Sequence, residues 1–191
     1  MTEIRTSELT PGLWPQGEAL FGKNGGCGGC WCQAWRIEKG ERWKDVEGAP
    51  AKERLRRGIL EGTTLGVLAF DGDTPVGWCT FGPRDSFPRL NRARSLKCED
   101  SASVWSVPCF FVRRDYRRQG VATALLDHAL RAMAERGVRT AEGYPSVPNK
   151  DGSYIASFAW TGTLSLFEKA GFSLVGDPNT SKRRMRKDLS S

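Results

Sequence analysis

Two stretches of this chain bring together residue types that could do chemistry, and a third nearly does. Arg117-Arg118-Gln119-Gly120-Val121-Ala122-Thr123 sets two guanidinium groups beside a glycine, just before a run with helical spacing. The first N–H groups of a helix have no partner within it, and the helix dipole adds partial positive charge there. Glycine lets the backbone approach a ligand, so the chemistry suggested is pyrophosphate binding. The same residues would also make an ordinary turn bearing solvated arginines. Upstream, a glycine-rich loop carries Cys27, Cys30 and Cys32 next to Trp31 and Trp35. Cys27-x-x-Cys30 has zinc-knuckle spacing, but a closed structural site needs four ligands. No second C-x-x-C or nearby histidine supplies them, and Cys98 is the one plausible distant donor. Reduced thiols and tryptophans packing a loop that covers a cleft are the expectation, with no metal. Gly17 to Asn24 nearly spells a Walker loop; Asn24 stands where Ser or Thr must hold magnesium, and no strand precedes it, so that reading fails.

The arginine–glycine turn must be held by the elements on either side. Val107-Pro108-Cys109-Phe110-Phe111-Val112 has the length and aromatic, β-branched content of a buried strand. Pro108 donates nothing to a ladder, so the strand should bulge or open on one side there. After Gly120 the period changes: Val121, Leu125, Leu126, Ala129, Leu130 and Met133 recur at helical spacing, and Gly137 stands at the C′ position. In that context Arg117-Arg118-Gln119-Gly120-Val121-Ala122 resembles the R/Q-x-x-G-x-G/A signature of the GNAT superfamily of acyl-coenzyme A-dependent N-acyltransferases. Leu164-Ser165-Leu166-Phe167-Glu168-Lys169-Ala170-Gly171-Phe172 resembles that superfamily's "LYEKLGF" segment. The likeness covers roughly Gly62 to Leu189.

The resemblance implies an α/β GNAT fold, with a mixed, mostly antiparallel central sheet splayed at its middle strands and flanked by helices. It implies acetyl-CoA as co-substrate. Phe110, Phe111 and Val112 would pair with pantetheine, with a backbone N–H near Phe111 as oxyanion donor. Arg117, Arg118, Gln119, Gly120, Val121, Ala122 and Thr123 would hold the pyrophosphate, with Phe167 also on the cofactor. The reaction would be direct acetyl transfer to a primary amine, expected on a small molecule although a protein amine fits too. A non-catalytic acyl-CoA sensor or interaction module is the alternative. Two departures stand out. Phe167 occupies the position where many members place an acidic tyrosine, leaving solvent, Ser165 or Tyr144 as proton donor. The segment Val104 to Val107 lacks the glutamate base some members carry, leaving Glu142, whose other reading is a strand-face glutamate in water. Cys109 reads as a small apolar strand residue and His128 as a surface residue.

The rest of the chain supplies the frame. At 191 residues it reads as one domain, with residues 1–61 as N-terminal helices and Cys/Trp loop and 62–189 as the acyl-CoA-binding core. No apolar run reaches the ~20 residues of a membrane span and no secretory leader is visible, so a cytoplasmic setting is expected. The net charge of +7 suits an anionic ligand; it is spread along the chain, so nucleic acid is not expected, and monomer and homodimer both remain open. A short helix should follow Thr10-Pro11, 36–50 should be loop, and Ala51–Leu60 a helix with Leu55, Ile59 and Leu60 inward. Asp71-Gly72-Asp73-Thr74 should join strands Thr64–Phe70 and Pro75–Phe81. A polar connection with room for a short helix is expected over 84–100, strands over Val138–Tyr144, Phe172–Val175 and Arg183–Leu189, and a last helix over Ala156–Ala170. The basic residues of the last strand should blunt a sheet edge. Trp31, Trp35, Trp78, Trp105 and Tyr144 could line an acceptor pocket.

Overall fold

The computed structural model describes residues 3–149, 151–152, 154, 159–180 and 182–190. Its first strand, β1 (Ile4–Glu8), has no counterpart in the sequence reading. One apolar residue in five gives no period, and the segment becomes a strand because it pairs antiparallel with a later one. A 3-10 turn with Pro11 leads into α1 (Trp14–Phe21), which buries Trp14, Leu20 and Phe21. The glycine-rich loop follows, then a single helical turn, α2 (Trp43–Val46), inside the stretch expected to be loop. α3 (Ala49–Leu60) opens with Pro50 in its first turn and buries Leu55 and Ile59; Leu60, expected inward, is 50% exposed.

The hairpin stands where its turn sequence puts it: β2 (Leu65–Asp71) and β3 (Thr74–Pro83) pair antiparallel. The 84–100 connection is more than polar. It folds into a 3-10 turn (Arg84–Ser86) and α4 (Pro88–Arg92), and it buries Arg84, Phe87, Leu90 and Leu96. β4 (Val104–Val112) begins three residues earlier than its apolar run, and α5 (Val121–Glu135) follows. α5 buries the six residues named from its period, plus Ala132, and Gly137 at φ 73° stops it. β5 (Thr140–Gly143) is shorter than expected. The last helix is also short: α6 (Leu164–Lys169) starts from a Thr163 cap, because Gly162 at φ 88° separates it from the 3-10 turn Ala159–Thr161. Residues 156–158 of the expected helix lie outside the described residues. β6 (Ser173–Leu174) and β7 (Met185–Asp188) finish the sheet, whose order is β1-β2-β3-β4-β5-β7-β6. All neighbours are antiparallel except β4 and β5. β7 therefore lies inside the sheet, and its basic residues do not blunt an edge.

Two cores sandwich the sheet. On one face α5 packs against Val67, Ala69, Cys79 and Phe81. It sits close because Gly77 has no side chain; a Cβ there would come 2.6 Å from Val121 Cγ1. On the other face α1, α3 and the Cys/Trp loop cover Leu68, Phe70 and Trp78.

Candidate active site

Pro108 decides the shape of the site. Between the pairs Thr80↔Cys109 and Gly82↔Ser106, β4 carries one residue more than β3, which is a bulge at Val107-Pro108. The bulge resets which face each side chain takes. Val107 and Phe110 both point into the α5-side core, whereas Cys109 turns to the opposite face. The parallel pairing of β5 with β4 covers only Val104 to Val107, so β4 beyond Pro108 has an open edge on that side. The strand does not re-pair because proline offers no N–H and Trp35 Nε1 already donates to Pro108 O at 3.0 Å.

Strand parity then says which amides are free. Arg113 N–H donates to Val76 O, so Cys109 and Phe111 also face β3, and Phe110 and Val112 turn their backbone groups to the open edge. Of the N–H groups near Phe111, the one facing the open edge is that of Phe110, and Phe111 N–H is spent on β3. Past Val112, Arg117 Nε donates to Val112 O at 3.2 Å and Gln119 Nε2 to Asp115 O at 2.6 Å, which pins the turn. Tyr116 OH donates to Asp71 at 2.9 Å and ties it to the β2–β3 hairpin. Arg118 and Gly120 adopt left-handed backbone at φ 61° and 82°. The first helical bond runs from Ala124 N–H to Gly120 O, so the amides of Val121, Ala122 and Thr123 emerge without helical partners.

Open edge, turn and helix start share one cleft of about 830 Å³. Its wall takes in Phe110, Phe111, Val112, Arg117, Arg118, Gly120, Val121, Ala122 and Thr123. Two residues assigned to the cofactor do not reach it: Gln119 is occupied within the turn, and Phe167 is fully buried against Phe110 and Phe172. Phe167 fills the splay instead, lying on Gly143, where a Cβ would come 2.1 Å from its ring. The Cys/Trp loop reaches the cleft as expected, through Cys27, Cys30 and Cys32; wall residues that sequence reading missed are Phe21 at the end of α1, and Tyr154, Trp160 and Thr163. No local pattern marks them, because separate segments meet there only on folding. None of Trp31, Trp35, Trp78, Trp105 or Tyr144 is on the wall; all but Trp105 pack in the loop-side core.

Glu142 and Tyr144 depart most from expectation. Glu142 is fully buried, not in water, and its carboxylate is surrounded by guanidinium groups. Arg84 Nη1 donates to Oε1 at 2.7 Å, and Arg186 Nε and Arg184 Nη1 donate to Oε2 at 2.6 and 3.3 Å. Tyr144 OH donates to Oε1 at 2.8 Å and contacts Ser106 Oγ at 2.6 Å. Burial, then the Glu142 charge, pushes the Tyr144 phenol well above its usual value. Neither residue lines the cleft, and both side chains are fully buried, so neither touches a ligand there directly. Of the basic residues expected to blunt an edge, Arg184 and Arg186 thus bind a carboxylate, and Lys187 Nζ donates to Ala170 O at 2.8 Å.

Residues 31–151 match the family model described as "Acetyltransferase (GNAT) family". The chain belongs to the GNAT acetyltransferase family. Among individual curated proteins none matches this acetyltransferase in sequence. Solved structures share its fold. PaiA N-acetyltransferase of Thermoplasma acidophilum, in complex with coenzyme A, is 16% identical with a TM-score of 0.57, covering 97% of this chain and 99% of that one. The ribosomal-protein-S18-alanine N-acetyltransferase of Escherichia coli is 14% identical with a TM-score of 0.54, covering 99% and 96%. YncA of Salmonella typhimurium, solved with acetyl-CoA, is 11% identical with a TM-score of 0.56, covering 98% and 95%. Among the described residues of this acetyltransferase no group of three or more His, Cys, Asp or Glu could hold a metal ion, and no helix is long and apolar enough to cross a membrane.

Proposed function

We propose that this acetyltransferase uses acetyl-CoA as co-substrate and transfers the acetyl group directly to a primary amine of a small molecule. The observation that carries this reading is the continuity of the cleft: a β4 edge at Phe110 and Val112 that β5 does not pair runs into the free amides of Val121 to Thr123. An extended amide-bearing arm fits the first as an added strand, and a pyrophosphate fits the second. Arg117, Arg118 and Lys169 are the charged residues on the described wall, all cationic, which suits the phosphates. Phe110 N–H, at the inner end of the open edge, is the donor for the acyl oxygen as it gains charge.

The described wall carries no carboxylate, and Glu142 is committed to arginines. The amine therefore enters as its free base, with its proton lost to solvent. Tyr154 and Ser165 are hydroxyls on the wall that can protonate the departing thiolate. Support for a small acceptor is the loop bearing Cys27, Cys30 and Cys32, which forms part of the cleft wall. The reading is tested by calorimetry with acetyl-CoA, followed by coenzyme A release across a panel of small amines. Saturable binding and release that rises with pH through each amine's pKa are expected. Absence of binding, or binding with no turnover on any amine, overturns it.

A further inference from the structure

The thiols of the glycine-rich loop take no part in acetyl transfer as described, yet the fold turns them onto the same cleft. Cys27, Cys30 and Cys32 from the loop and Cys109 from β4 all line its wall. Two of them touch across 77 positions of chain: Cys32 Sγ and Cys109 Sγ lie 2.8 Å apart, with 3% and 4% of each residue exposed. Two local features bring them together. The bulge at Pro108 turns Cys109 to the loop side of the sheet. In the loop, Trp31 and Cys32 hold left-handed backbone at φ 43° and 57°, which side-chain-bearing residues adopt only when their surroundings enforce it. The enforcing contacts are present. Gln33 N–H donates to Cys30 O at 2.7 Å, and Trp78 Nε1 donates to Cys32 Sγ at 2.9 Å.

We propose that Cys32 and Cys109 are a dithiol–disulfide pair, a modification site at which a peroxide-class oxidant staples the loop to the central strand. The thiol of Cys109 is pushed well above its ordinary value by its hydrogen bond with Cys32 and then by burial, so Cys109 keeps its proton. Cys32, whose sulfur accepts from Trp78, is the first nucleophile. Its sulfur attacks one oxygen of hydrogen peroxide, the O–O bond breaks, Cys32 becomes a sulfenic acid, and the other oxygen leaves as water with the thiol proton. The Cys109 sulfur then attacks the sulfenic sulfur, the S–S bond forms, and the sulfenic oxygen leaves as a second water with the Cys109 proton. Two thiols are oxidised and one peroxide is reduced. Thiol–disulfide exchange with a small thiol reverses the step.

The experiment treats the whole protein with hydrogen peroxide, alkylates it in denaturant, digests it without reductant and maps the peptides by mass spectrometry. The expected result is that two of the six cysteines escape alkylation, joined in one linked pair containing Cys32 and Cys109, and that dithiothreitol restores all six. The oxidised protein should also melt at a higher temperature than the reduced one. Cys32→Ser and Cys109→Ser should each abolish the link; if either fails to fold, the wild-type map decides by itself. Six alkylated cysteines after treatment, a link confined to Cys27 and Cys30, or Cys32 driven to sulfinic acid with Cys109 still free would overturn the proposal.

Discussion

Replacing Glu142 by glutamine separates a structural role from a catalytic one, because the two predict different readouts. The carboxylate faces three guanidinium groups, and their alternatives differ. Arg186 keeps a bidentate pair with Asp100 at 2.7 and 2.8 Å, and the Arg184 side chain is 15% exposed and can turn to water. Arg84 has neither recourse: its side chain is fully buried, and Glu142 is its one carboxylate among the described residues. Removing one partner of such a pair costs about 3–5 kcal/mol, because the other charge stays buried and uncompensated. For a chain of this length each kcal/mol lowers the melting temperature by ~2–4 °C, so Glu142→Gln should melt roughly 6–20 °C lower. Urea denaturation monitored by circular dichroism gives the free energy, and acetyl transfer measured well below the new melting point gives the pH–rate profile. Stability should fall while the profile keeps its shape. Adding Arg84→Met should recover part of the loss, since the stranded charge goes with it. A Glu142→Gln protein within about 1 kcal/mol of wild type, with a flattened profile, would refute this account and make Glu142 the base.

Three other outcomes follow from the same geometry. Gly77→Val should destabilise the protein by about 1–3 kcal/mol or more in urea, since the new Cβ meets Val121 and must lift α5 off the sheet; an unchanged midpoint would contradict that close approach. Gly120→Asp puts a negative charge and a side chain where left-handed backbone opens α5, although the Cβ itself meets open space. Acetyl-CoA affinity by calorimetry should fall at least roughly tenfold while the fold persists, and normal affinity would remove the turn from the binding site. Burial lowers the Lys182 ammonium from 10.5 to about 8. The unfolded chain then binds more protons than the folded one between those values, so this site adds stability as pH rises through that window. Lys182→Met should lose that increment, seen by comparing urea midpoints of the two proteins at pH 7.5 and pH 10; equal gains in both would rule it out.

The parts legible in the sequence are those set by local pattern. The 3.6-residue period named the buried face of α5, Gly137 its end, and Asp71-Gly72-Asp73-Thr74 the hairpin. Arg117 to Gly120 needs only its own turn chemistry, and it lies where its motif says. β1 was illegible because an edge strand with mixed residues borrows its conformation from β2. The over-long last helix has a related cause: apolar spacing runs through Gly162, whose left-handed backbone breaks the helix. Phe167 kept its place in a helix but not its expected contact, since whether an aromatic ring meets ligand or core depends on what lies across from it.

By itself, then, the sequence determined the strand–turn–helix whose free amides and arginines line the cleft, because backbone conformation there is settled within a few residues. Which face β4 shows on either side of Pro108 was decided only in three dimensions, because a bulge is defined by the partner strand it is counted against. The same holds for Glu142 and for the Cys32–Cys109 contact. Charge and sulfur take their meaning from neighbours scores of residues away in the chain, and no spacing rule records who those neighbours will be.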